Sequence, residues 1–480
     1  MINRTYYQLL LCIVVTSLSI SLGIAGVVYL VTNPENVPKP ITDAAETDGI
    51  FKDINDLKDY IRAETISMAL DEAYNMHPSF NDKVDFVAGT DTVISCYYNA
   101  PTKPMSQMPL LPQDIDPHIC THVILGFAYI TDKAIDLDDS QKASLSVLTN
   151  NLRRRNPKLK IMLSVGGNRN DRGFPDMVVN HASRKIFIKS IKEVLRTYTL
   201  DGIDLDWEFP ALHDDVVGFK SRERQHFSQL VREIRAEFIR EKRNYILTVA
   251  TAAPMTIVDF AYDVDQLNLY VDFVNLMTYD YHAFTKYTPF TGLNSPLYSR
   301  PSDLFYMATL NINYTVHMYI AKGLDRNKIV VGIPTYGHTF RLVNPNNPEI
   351  GSPACDKHPF TSGFIDYYSV CKFLTKDGHN ATVKYASAEK VPYCYKNDVW
   401  ISYDNPQSVQ EKAKYIKEMG LRGAMIYSLN EGGMEPGMKF PLLKAVNKVL
   451  VPVLCNICIH CSTKCIFYCC CTYFKRLFNL

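Results

Sequence analysis

From about residue 91 onwards, short runs of apolar and β-branched residues alternate with longer amphipathic stretches. Nearly continuous apolar runs separated by helical patterns are typical of parallel strands that helices cover on their outer face. The eight runs that predict strands are residues 92–98, 121–128, 159–165, 202–209, 245–251, 273–279, 329–336 and 423–429. Clear helical patterns lie between them, for example at residues 183–198, 222–240 and 302–322.

Eight strand–helix units predict a closed (β/α)8 TIM barrel of the α/β class. An open, doubly wound α/β sheet is the alternative, but no glycine-rich phosphate fingerprint supports it. Between the seventh strand and the last helix, about residues 340–402, the chain is too long for a connecting loop. We predict a small α+β insertion there. Because loops at the carboxyl ends of barrel strands line the active site, this insertion is expected to form one wall of a cleft.

The first apolar run, about residues 6–32, is long enough to span a bilayer and longer than the core of a usual cleaved signal peptide. Arg4 precedes this run, and acidic residues such as Glu35 and Asp43 follow it. The positive-inside rule then places the N-terminus in the cytosol and the body in the lumen or outside. We predict a type II signal anchor in residues 1–32, with a cleaved signal peptide as the alternative. Both predict an exported protein, secreted if the segment is cleaved.

Three further segments complete the predicted organisation. Residues 33–90 are polar and predict a stem, residues 91–448 contain the barrel, and residues 449–480 are apolar and rich in cysteine. In this tail, zinc binding by Cys455, Cys458, His460 and Cys461 is one interpretation, but no second cysteine pair lies at the distance that a zinc finger needs. Two other interpretations are a second membrane segment and a tail without a role in function. We predict no metal site.

Composition narrows the partners and the compartment. The formal net charge of +1 gives no electrostatic reason to expect nucleic acid. Outside the N-terminal run and the tail, the cysteines are Cys96, Cys120, Cys355, Cys371 and Cys394, an odd number, so at least one thiol is left over. Glycosylation sequons at Asn313 and Asn380 agree with export, which permits disulfides.

One predicted strand carries three acids. Residues 202–209 read Gly-Ile-Asp-Leu-Asp-Trp-Glu-Phe. Because side chains alternate along a strand, Asp204, Asp206 and Glu208 share one face, and Trp207 lies on the other with the apolar residues. An exposed edge strand with acids in water is the alternative, but both flanking units have buried patterns. Inside a barrel the acids would repel one another, and this repulsion would raise the pKa of at least one of them. A carboxyl that stays protonated near neutral pH is what a general acid requires.

The segment 201–208, Asp-Gly-Ile-Asp-Leu-Asp-Trp-Glu, resembles the DxxDxDxE motif of family 18 glycoside hydrolases, the chitinase family. Shorter motifs in the same order agree with it between residues 92 and 445. They are Cys-Tyr-Tyr at 96–98, Thr-His-Val at 121–123, Ser-Val-Gly-Gly at 164–167, Met-Thr-Tyr-Asp at 277–280, Gly-Leu-Asn-Ser-Pro-Leu-Tyr at 292–298 and Gly-Ile-Pro-Thr-Tyr-Gly at 332–337. Each is weak alone, whereas their order is specific, and the chain looks most like arthropod members.

The resemblance implies endo-acting cleavage of β-1,4 N-acetylglucosamine linkages in chitin or chito-oligosaccharides, by a retaining mechanism in which the substrate's acetamido group is the nucleophile. Glu208 would be the general acid, Asp206 would orient the acetamido group, Asp204 would tune Asp206, and no cofactor is needed. Tyr279 would hold the acetamido carbonyl. The other substrate-binding residues that the resemblance implies are Asp280, Met277, Tyr427, Tyr98 and Gly167, where Met277 either contacts the sugar or packs beneath the site. A disulfide between Cys96 and Cys120 is also implied.

The chain departs from the family at the positions that stack on sugar rings. It has only two tryptophans, Trp207 and Trp400. Asn168 and Tyr427 stand where relatives commonly have tryptophan, His338 where arginine is usual, and Asn430 where aspartate is common. Intact acids with a reduced stacking surface favour short chito-oligosaccharides, an altered N-acetylated glycan or slow turnover.

Two functions therefore stay open at the level of sequence: a chitinase-type hydrolase, and a glycan-binding or signalling protein that does not cleave. Inactive relatives usually lose the equivalent of Glu208 or Asp206, and this chain retains both. We therefore prefer the hydrolase. A structural membrane protein that happens to contain a barrel would explain neither the acids nor their shared face.

Overall fold

The computed structural model describes residues 92–451, apart from 102–109, 169, 213–220, 356–362, 376–380, 433 and 436–437. Within these residues, the apolar runs form a parallel barrel of eight strands. The strands are β1 (Val93–Asn99), β2 (His122–Thr131), β3 (Lys160–Gly166), β4 (Gly202–Asp206), β5 (Ile246–Ala252), β6 (Phe273–Met277), β7 (Ile329–Pro334) and β8 (Gly423–Tyr427). Each strand pairs with the next along the chain, and β8 pairs with β1. The predicted closed barrel is confirmed, and the open sheet is excluded.

Helices cover the outside of the barrel and pack against it through apolar side chains. The described α-helices are α1 (Asp139–Val147), α2 (Arg153–Arg155), α3 (Phe174–Val178), α4 (His181–Thr197), α5 (Ser221–Arg240), α6 (Met255–Ala261), α7 (Val264–Tyr270), α8 (Ile312–Ala321), α9 (Tyr367–Thr375), α10 (Pro406–Glu418) and α11 (Pro441–Leu450). In α4, for example, the Asn180 side chain accepts a hydrogen bond from the Ser183 amide and caps the helix. Phe187, Ile191 and Leu195 then recur at helical spacing and are buried.

The helix predicted at residues 302–322 is shorter than expected. A 3-10 turn, Phe305–Thr309, occupies its first part, and α8 begins only at Ile312. The side chain of Asn311 accepts a hydrogen bond from the Tyr314 amide, which sets the start of α8 at that point.

A second, antiparallel sheet lies along the chain between β7 and α10. Its strands in the described part are Tyr336–Leu342, Ala354–Cys355, Phe364–Asp366, Thr382–Ala386, Val391–Lys396 and Val399–Ser402. The sheet therefore begins earlier than the predicted boundary at residue 340. Trp400 is fully buried in it, stacks on Tyr393 with ring centroids 5.1 Å apart, and donates its indole N–H to the Pro348 carbonyl at 3.0 Å. Trp400 thus belongs to the core of this sheet.

One disulfide joins the first two barrel units. Cys96 in β1 is bonded to Cys120, just before β2, with a Cα–Cα distance of 6.2 Å. This confirms the pairing that the family resemblance implies. Cys355 and Cys394 form no disulfide within the described residues, and burial raises the pKa of the Cys394 thiol.

Several predictions fall on residues that the structure does not describe. The signal anchor at 1–32, the stem at 33–90, the sequon at Asn380 and nearly all of the tail at 449–480, with its candidate zinc ligands, lie outside the described residues. Among the residues that are described, no helix has the length and apolar character that crossing a membrane requires.

Candidate active site

The three acids of the predicted strand lie at the carboxyl end of β4, inside the barrel. Asp204 and Asp206 belong to the strand and are 0% and 3% exposed, whereas Glu208 follows the strand and is half-buried. Both neighbouring strands, β3 and β5, pair with β4, so β4 is not an edge strand. Trp207 points the other way, to the helices, where it stacks on Phe174 with ring centroids 5.1 Å apart. The predicted alternation along this strand is confirmed.

Asp204 is held by four side chains from four other strands. The Tyr97 hydroxyl and the Ser164 hydroxyl donate to its Oδ2 at 2.8 Å and 2.7 Å. The Thr248 hydroxyl and the Asn275 amide donate to its Oδ1 at 2.6 Å and 3.3 Å. Burial raises the pKa of Asp204, and these hydrogen bonds oppose that rise. The four donors therefore fix this carboxyl at the base of the acid cluster.

Asp206 differs from Asp204 in having an unsatisfied oxygen. Its Oδ1 is buried and has no hydrogen-bond partner among the described residues. Burial raises the pKa of Asp206 well above its ordinary value, and the nearby charges of Glu208, Asp204 and Asp171 raise it further. A buried acceptor without a donor is costly in a native protein. Asp206 therefore presents an open acceptor to the site.

Glu208 has the electrostatics of a proton donor. Burial, together with the charges of Asp280 and Asp171, raises the pKa of Glu208 to about 8. At neutral pH most of this carboxyl is therefore protonated, which is the state that a general acid needs. Asp171 lies in the loop after β3, and the sequence analysis did not identify it.

Aromatic rings form the floor beside the acids, with Tyr427 at their centre. Its ring centroid lies 5.7 Å from Tyr97, 6.4 Å from Phe127, 5.9 Å from Tyr279 and 6.3 Å from Tyr336. We call these five residues the aromatic floor. Burial raises the pKa of the Tyr279 hydroxyl well above its ordinary value, and Tyr427, Asp206, Asp280 and Glu208 raise it further. Tyr279 therefore stays protonated next to the acids and can donate a hydrogen bond.

Asp280 is oriented by donors from the antiparallel sheet. Its Oδ1 accepts a hydrogen bond from the Tyr336 hydroxyl at 2.7 Å and lies 2.7 Å from Nε2 of His338. Its backbone has a left-handed φ of 57°, and its amide donates to Oδ1 of Asn294 at 2.9 Å. The Asp280 side chain is 38% exposed, so it can contact a ligand. His338, which replaces the usual arginine, is buried against it.

The structure places Tyr98 outside the site. Tyr98 is fully buried, and its hydroxyl donates to the Leu110 carbonyl at 2.9 Å. Its neighbour Tyr97 points into the barrel and contacts Asp204. Because side chains alternate along β1, only one of the two tyrosines can face the acids. This corrects the sequence-based expectation for Tyr98: the inward residue is Tyr97.

Gly167 and Met277 support the site from beneath. Gly167 has a φ of +83°, and a Cβ there would lie 2.7 Å from the Phe127 ring. Its amide donates to the Asp206 carbonyl at 2.7 Å. The glycine thus allows β3 to approach both β4 and the aromatic floor. Met277 packs against the hydrophobic cluster that contains Tyr279.

A closed barrel with an acid cluster at the carboxyl ends of its strands defines the class of (β/α)8-barrel proteins, in which active sites lie at that end. The family model described as glycosyl hydrolases family 18 matches residues 93–432. The chain therefore belongs to family 18 of the glycosyl hydrolases.

Similar proteins include enzymes and a protein described as a pseudo-chitinase. Mouse Chitotriosidase-1 is 34% identical over 71% of this chain and 74% of its own length. The crystal structure of the Group IV chitinase of Ostrinia furnacalis matches with a TM-score of 0.69 and 30% identity, over 75% of this chain and 100% of that one. Human YKL-39, described as a pseudo-chitinase with retained chitooligosaccharide binding, matches with a TM-score of 0.69 and 32% identity, over 75% of this chain and 99% of that one.

Proposed function

We propose that the protein is an endo-acting chitinase-type hydrolase that cleaves β-1,4 linkages between N-acetylglucosamine units. The proposal rests on two of the acids, Glu208 and Asp206. The pKa of Glu208 is raised to about 8, while Oδ1 of Asp206 is a buried acceptor without a partner among the described residues. Protonation of a leaving oxygen needs the first property, and binding of an acetamido N–H needs the second.

The proposed reaction retains configuration through the substrate's own acetamido group. Glu208 donates its proton to the glycosidic oxygen as the bond from that oxygen to the anomeric carbon breaks. The acetamido carbonyl oxygen attacks the same carbon and gives an oxazolinium-like intermediate. Water then attacks the anomeric carbon and opens this intermediate, and the Glu208 carboxylate takes up the proton that the water releases. Asp206 accepts the acetamido N–H and offsets the positive charge, with Asp204 fixed beneath it. The Tyr279 hydroxyl donates to the acetamido carbonyl oxygen.

The proposed substrate is a short chito-oligosaccharide. Tyr427 lies at the centre of the aromatic floor, where it can stack on one sugar ring, and Asp280 presents a partly exposed carboxylate beside it. Trp207 and Trp400 are both fully buried and cannot extend this surface. A structural neighbour, YKL-39, was solved in the presence of chitooligosaccharides of four units. We propose that the antiparallel sheet forms one wall of this cleft, because Phe364, 38% exposed, packs on Tyr336 and His338.

A glycan-binding protein without turnover is the second candidate. The observation that favours it is the burial of both tryptophans, together with the likeness to YKL-39, a pseudo-chitinase by its description. In that function the aromatic floor and Asp280 would bind the oligosaccharide, and Glu208 would never transfer its proton to substrate.

Release of a fluorescent leaving group from a chitotriose conjugate tests the proposal. The wild-type protein is expected to release the fluorophore, and Glu208→Gln is expected to lose roughly 10²–10⁴-fold in kcat. The matched control is Glu233→Gln, which changes a glutamate of α5 that pairs with Arg184 of α4 outside the barrel and should keep wild-type turnover. Tight binding of chitotetraose without any release by the wild-type protein would establish the binding-only function instead.

We also propose that the protein enters the secretory pathway and acts outside the cytosol. The Cys96–Cys120 disulfide supports this, because such bonds persist in oxidising compartments. Attachment to the membrane through residues 1–32 stays a prediction. Fractionation without detergent would test it, because a signal anchor keeps the protein in the membrane pellet, whereas a cleaved protein is released.

A further inference from the structure

A fully buried ion pair lies outside the acid cluster. Lys412 in α10 is 0% exposed, and Asp404, just before this helix, is 2% exposed. The Lys412 ammonium lies 2.7 Å from both carboxylate oxygens of Asp404. Two buried charges are expensive to desolvate, and apolar residues of similar volume often serve stability as well. The pair therefore needs an explanation beyond packing.

The start of α10 does not explain it. Asn405 accepts the Ser408 amide, and the Ser408 side chain accepts the Asn405 amide, so the helix has a complete capping box of its own. The Ser408 hydroxyl also donates to Oδ1 of Asp404 at 2.6 Å, and the Lys412 ammonium extends the pair away from the helix start. An ammonium has three donors, and the third one of Lys412 goes to the Ser295 hydroxyl at 2.9 Å.

Ser295 connects the ion pair to the end of β6. Its hydroxyl, which accepts from Lys412, donates to the Thr278 carbonyl at 2.7 Å. Thr278 immediately precedes Tyr279, the candidate donor to the acetamido carbonyl. Because charge-assisted hydrogen bonds are shorter and stronger than neutral ones, Lys412 fixes the direction in which the Ser295 hydroxyl points. We call Asp404, Lys412 and Ser295 the buried relay.

The neighbouring residue Asn294 holds the backbone of Asp280 and Tyr281, which follow Tyr279. Its Oδ1 accepts the Asp280 amide at 2.9 Å, and its side-chain amide donates to the Tyr336 carbonyl at 3.2 Å. Its own carbonyl accepts the Tyr281 amide at 3.1 Å. The left-handed backbone of Asp280 is therefore held by one segment, residues 294–295, which the Ser402 hydroxyl fixes at the Asn294 amide and the buried relay fixes at Ser295.

We propose that Lys412 and Ser295 are positioning residues, which set the Tyr279 hydroxyl and the Asp280 carboxylate against the substrate. The proposal rests on the proposed hydrolase function and adds residues to that same site. A displacement of about 1 Å in a reacting group can cost up to a hundredfold in rate. Loss of the relay should therefore affect turnover more than stability or ground-state binding.

Two variants interrupt the relay in different ways. Ser295→Ala leaves the ion pair intact and removes the two hydrogen bonds that join it to the end of β6, one from Lys412 to Ser295 and one from Ser295 to the Thr278 carbonyl. The double variant Lys412→Met, Asp404→Leu replaces the pair by apolar groups, a change that other proteins tolerate. On the chitotriose conjugate, both are expected to lower kcat roughly tenfold and to raise KM by a smaller factor.

The matched control is Ser190→Ala. The Ser190 hydroxyl is also buried, accepts the Ile135 amide at 2.9 Å and donates to the Phe187 carbonyl at 2.8 Å, but it lies on α4 outside the barrel. Ser190→Ala is expected to lower the melting temperature about as much as Ser295→Ala while keeping wild-type kcat. If Ser295→Ala or the double variant keeps wild-type kcat, the buried relay has only a structural role and the proposal is overturned.

Failure of the hydrolase function is distinguishable from failure of the relay. If the wild-type protein releases no fluorophore, the hydrolase proposal fails, and the relay is judged by calorimetric titration with chitotetraose. Positioning of Asp280 and Tyr279 then predicts a Kd several-fold weaker in Ser295→Ala and in the double variant, but not in Ser190→Ala. Equal Kd values in all four proteins would overturn the relay as well.

Discussion

The same side chain, glutamate, behaves in opposite ways at two places in this molecule. Outside the barrel, Arg184 of α4 donates to Glu233 of α5 at 2.8 Å and 3.0 Å, and Arg240 donates to Glu237 within α5. Burial raises the pKa of Glu233, but the Arg184 hydrogen bonds and others outweigh it and lower that pKa to about 2. Hydrogen bonds from Arg240 and then Lys192 lower the pKa of Glu237 to about 2. At the carboxyl end of β4, burial and acidic neighbours raise the pKa of Glu208 to about 8.

The difference lies in the partners and not in the residue type. Each helix carboxylate has a guanidinium or ammonium beside it, which stabilises the charged form. Besides burial itself, the groups that raise the pKa of Asp206 most are the carboxylates of Glu208, Asp204 and Asp171. The molecule thus keeps these carboxylate–cation pairs where they hold helices together, and it groups carboxyls with one another at the end of the barrel, where a proton can move.

After Glu208→Gln, the largest effect on turnover should follow from replacing the Asp206 carboxyl by an amide. In Asp206→Asn, the amide cannot offset the positive charge of the intermediate and presents a donor where the substrate's N–H needs an acceptor. We expect kcat on the chitotriose conjugate to fall roughly 10²-fold or more. Glu237→Gln, on the helix face, should leave kcat unchanged. Equal kcat in Asp206→Asn and the wild-type protein would remove the contrast between the two regions.

The second prediction concerns the stability of the helix pair. Arg184 is 6% exposed and also donates to the Val178 carbonyl, so Arg184→Met leaves Glu233 half-buried without its main partner. We expect a loss of roughly 2–3 kcal/mol in the free energy of unfolding at pH 7, with kcat unchanged. Arg196→Met is the control, because this arginine is 53% exposed and exposed pairs contribute about 1 kcal/mol or less.

The pH dependence of the stability of Arg184→Met tests the direction of the Glu233 pKa shift. Glu233 has a folded-state pKa of about 2 against an ordinary value of 4.5. Its contribution to stability is therefore present above pH 4.5 and is lost as pH falls towards 2. Urea unfolding should show the difference between wild type and Arg184→Met shrinking over that window. A difference that stays constant from pH 7 to pH 3 would contradict the assignment.

The third prediction uses Asp171, whose charge raises the pKa of both Asp206 and Glu208. With Glu208 as the general acid, kcat/KM should fall as pH rises through about 8. In Asp171→Asn one negative neighbour is removed, so the pKa of Glu208 decreases and this alkaline limb moves to lower pH. The pH–rate profiles of the two proteins test this. An alkaline limb that stays in place would show that Asp171 does not act on the general acid.

How far the sequence predicts this molecule depends on whether a residue leaves a periodic signal. The eight strands were predictable because each is a buried apolar run, and the faces of β4 were predictable because acids mark one of them. In β1 the run Val-Ile-Ser-Cys-Tyr-Tyr-Asn is buried over nearly its whole length, but Ser95 and Asn99 share the face of Tyr97. A polar marker for the inward tyrosine was therefore present in the sequence, although the choice of Tyr98 did not use it.

The donors to Asp204 are also marked in the sequence by isolated polar residues. Ser164, Thr248 and Asn275 are single polar residues inside apolar runs, and their presence was a usable signal that the sequence analysis did not exploit. Asp171 and the buried relay had no such signal. They lie in a loop, in a helix and in a connecting segment, and only tertiary packing brings them to the site.

The smallest effect should be a gain in stability from the variant that loses activity. The pKa of Glu208 is about 8 in the folded protein against an ordinary 4.5. The protonated folded state is therefore favoured at low pH, and this contribution is lost as pH rises from 4.5 towards 8, because the unfolded chain releases the proton first. Glutamine resembles the protonated form at every pH. We expect Glu208→Gln to be more stable than wild type by on the order of 1 kcal/mol at pH 8, discounted for the partial exposure of Glu208.

Thermal unfolding at pH 8 and pH 4.5 measures this difference in stability, with no difference expected at pH 4.5. On the helix face, Glu233→Gln should instead be destabilising at both pH values, and a destabilised Glu208→Gln at pH 8 would mean that the site acids are paired in the folded state after all.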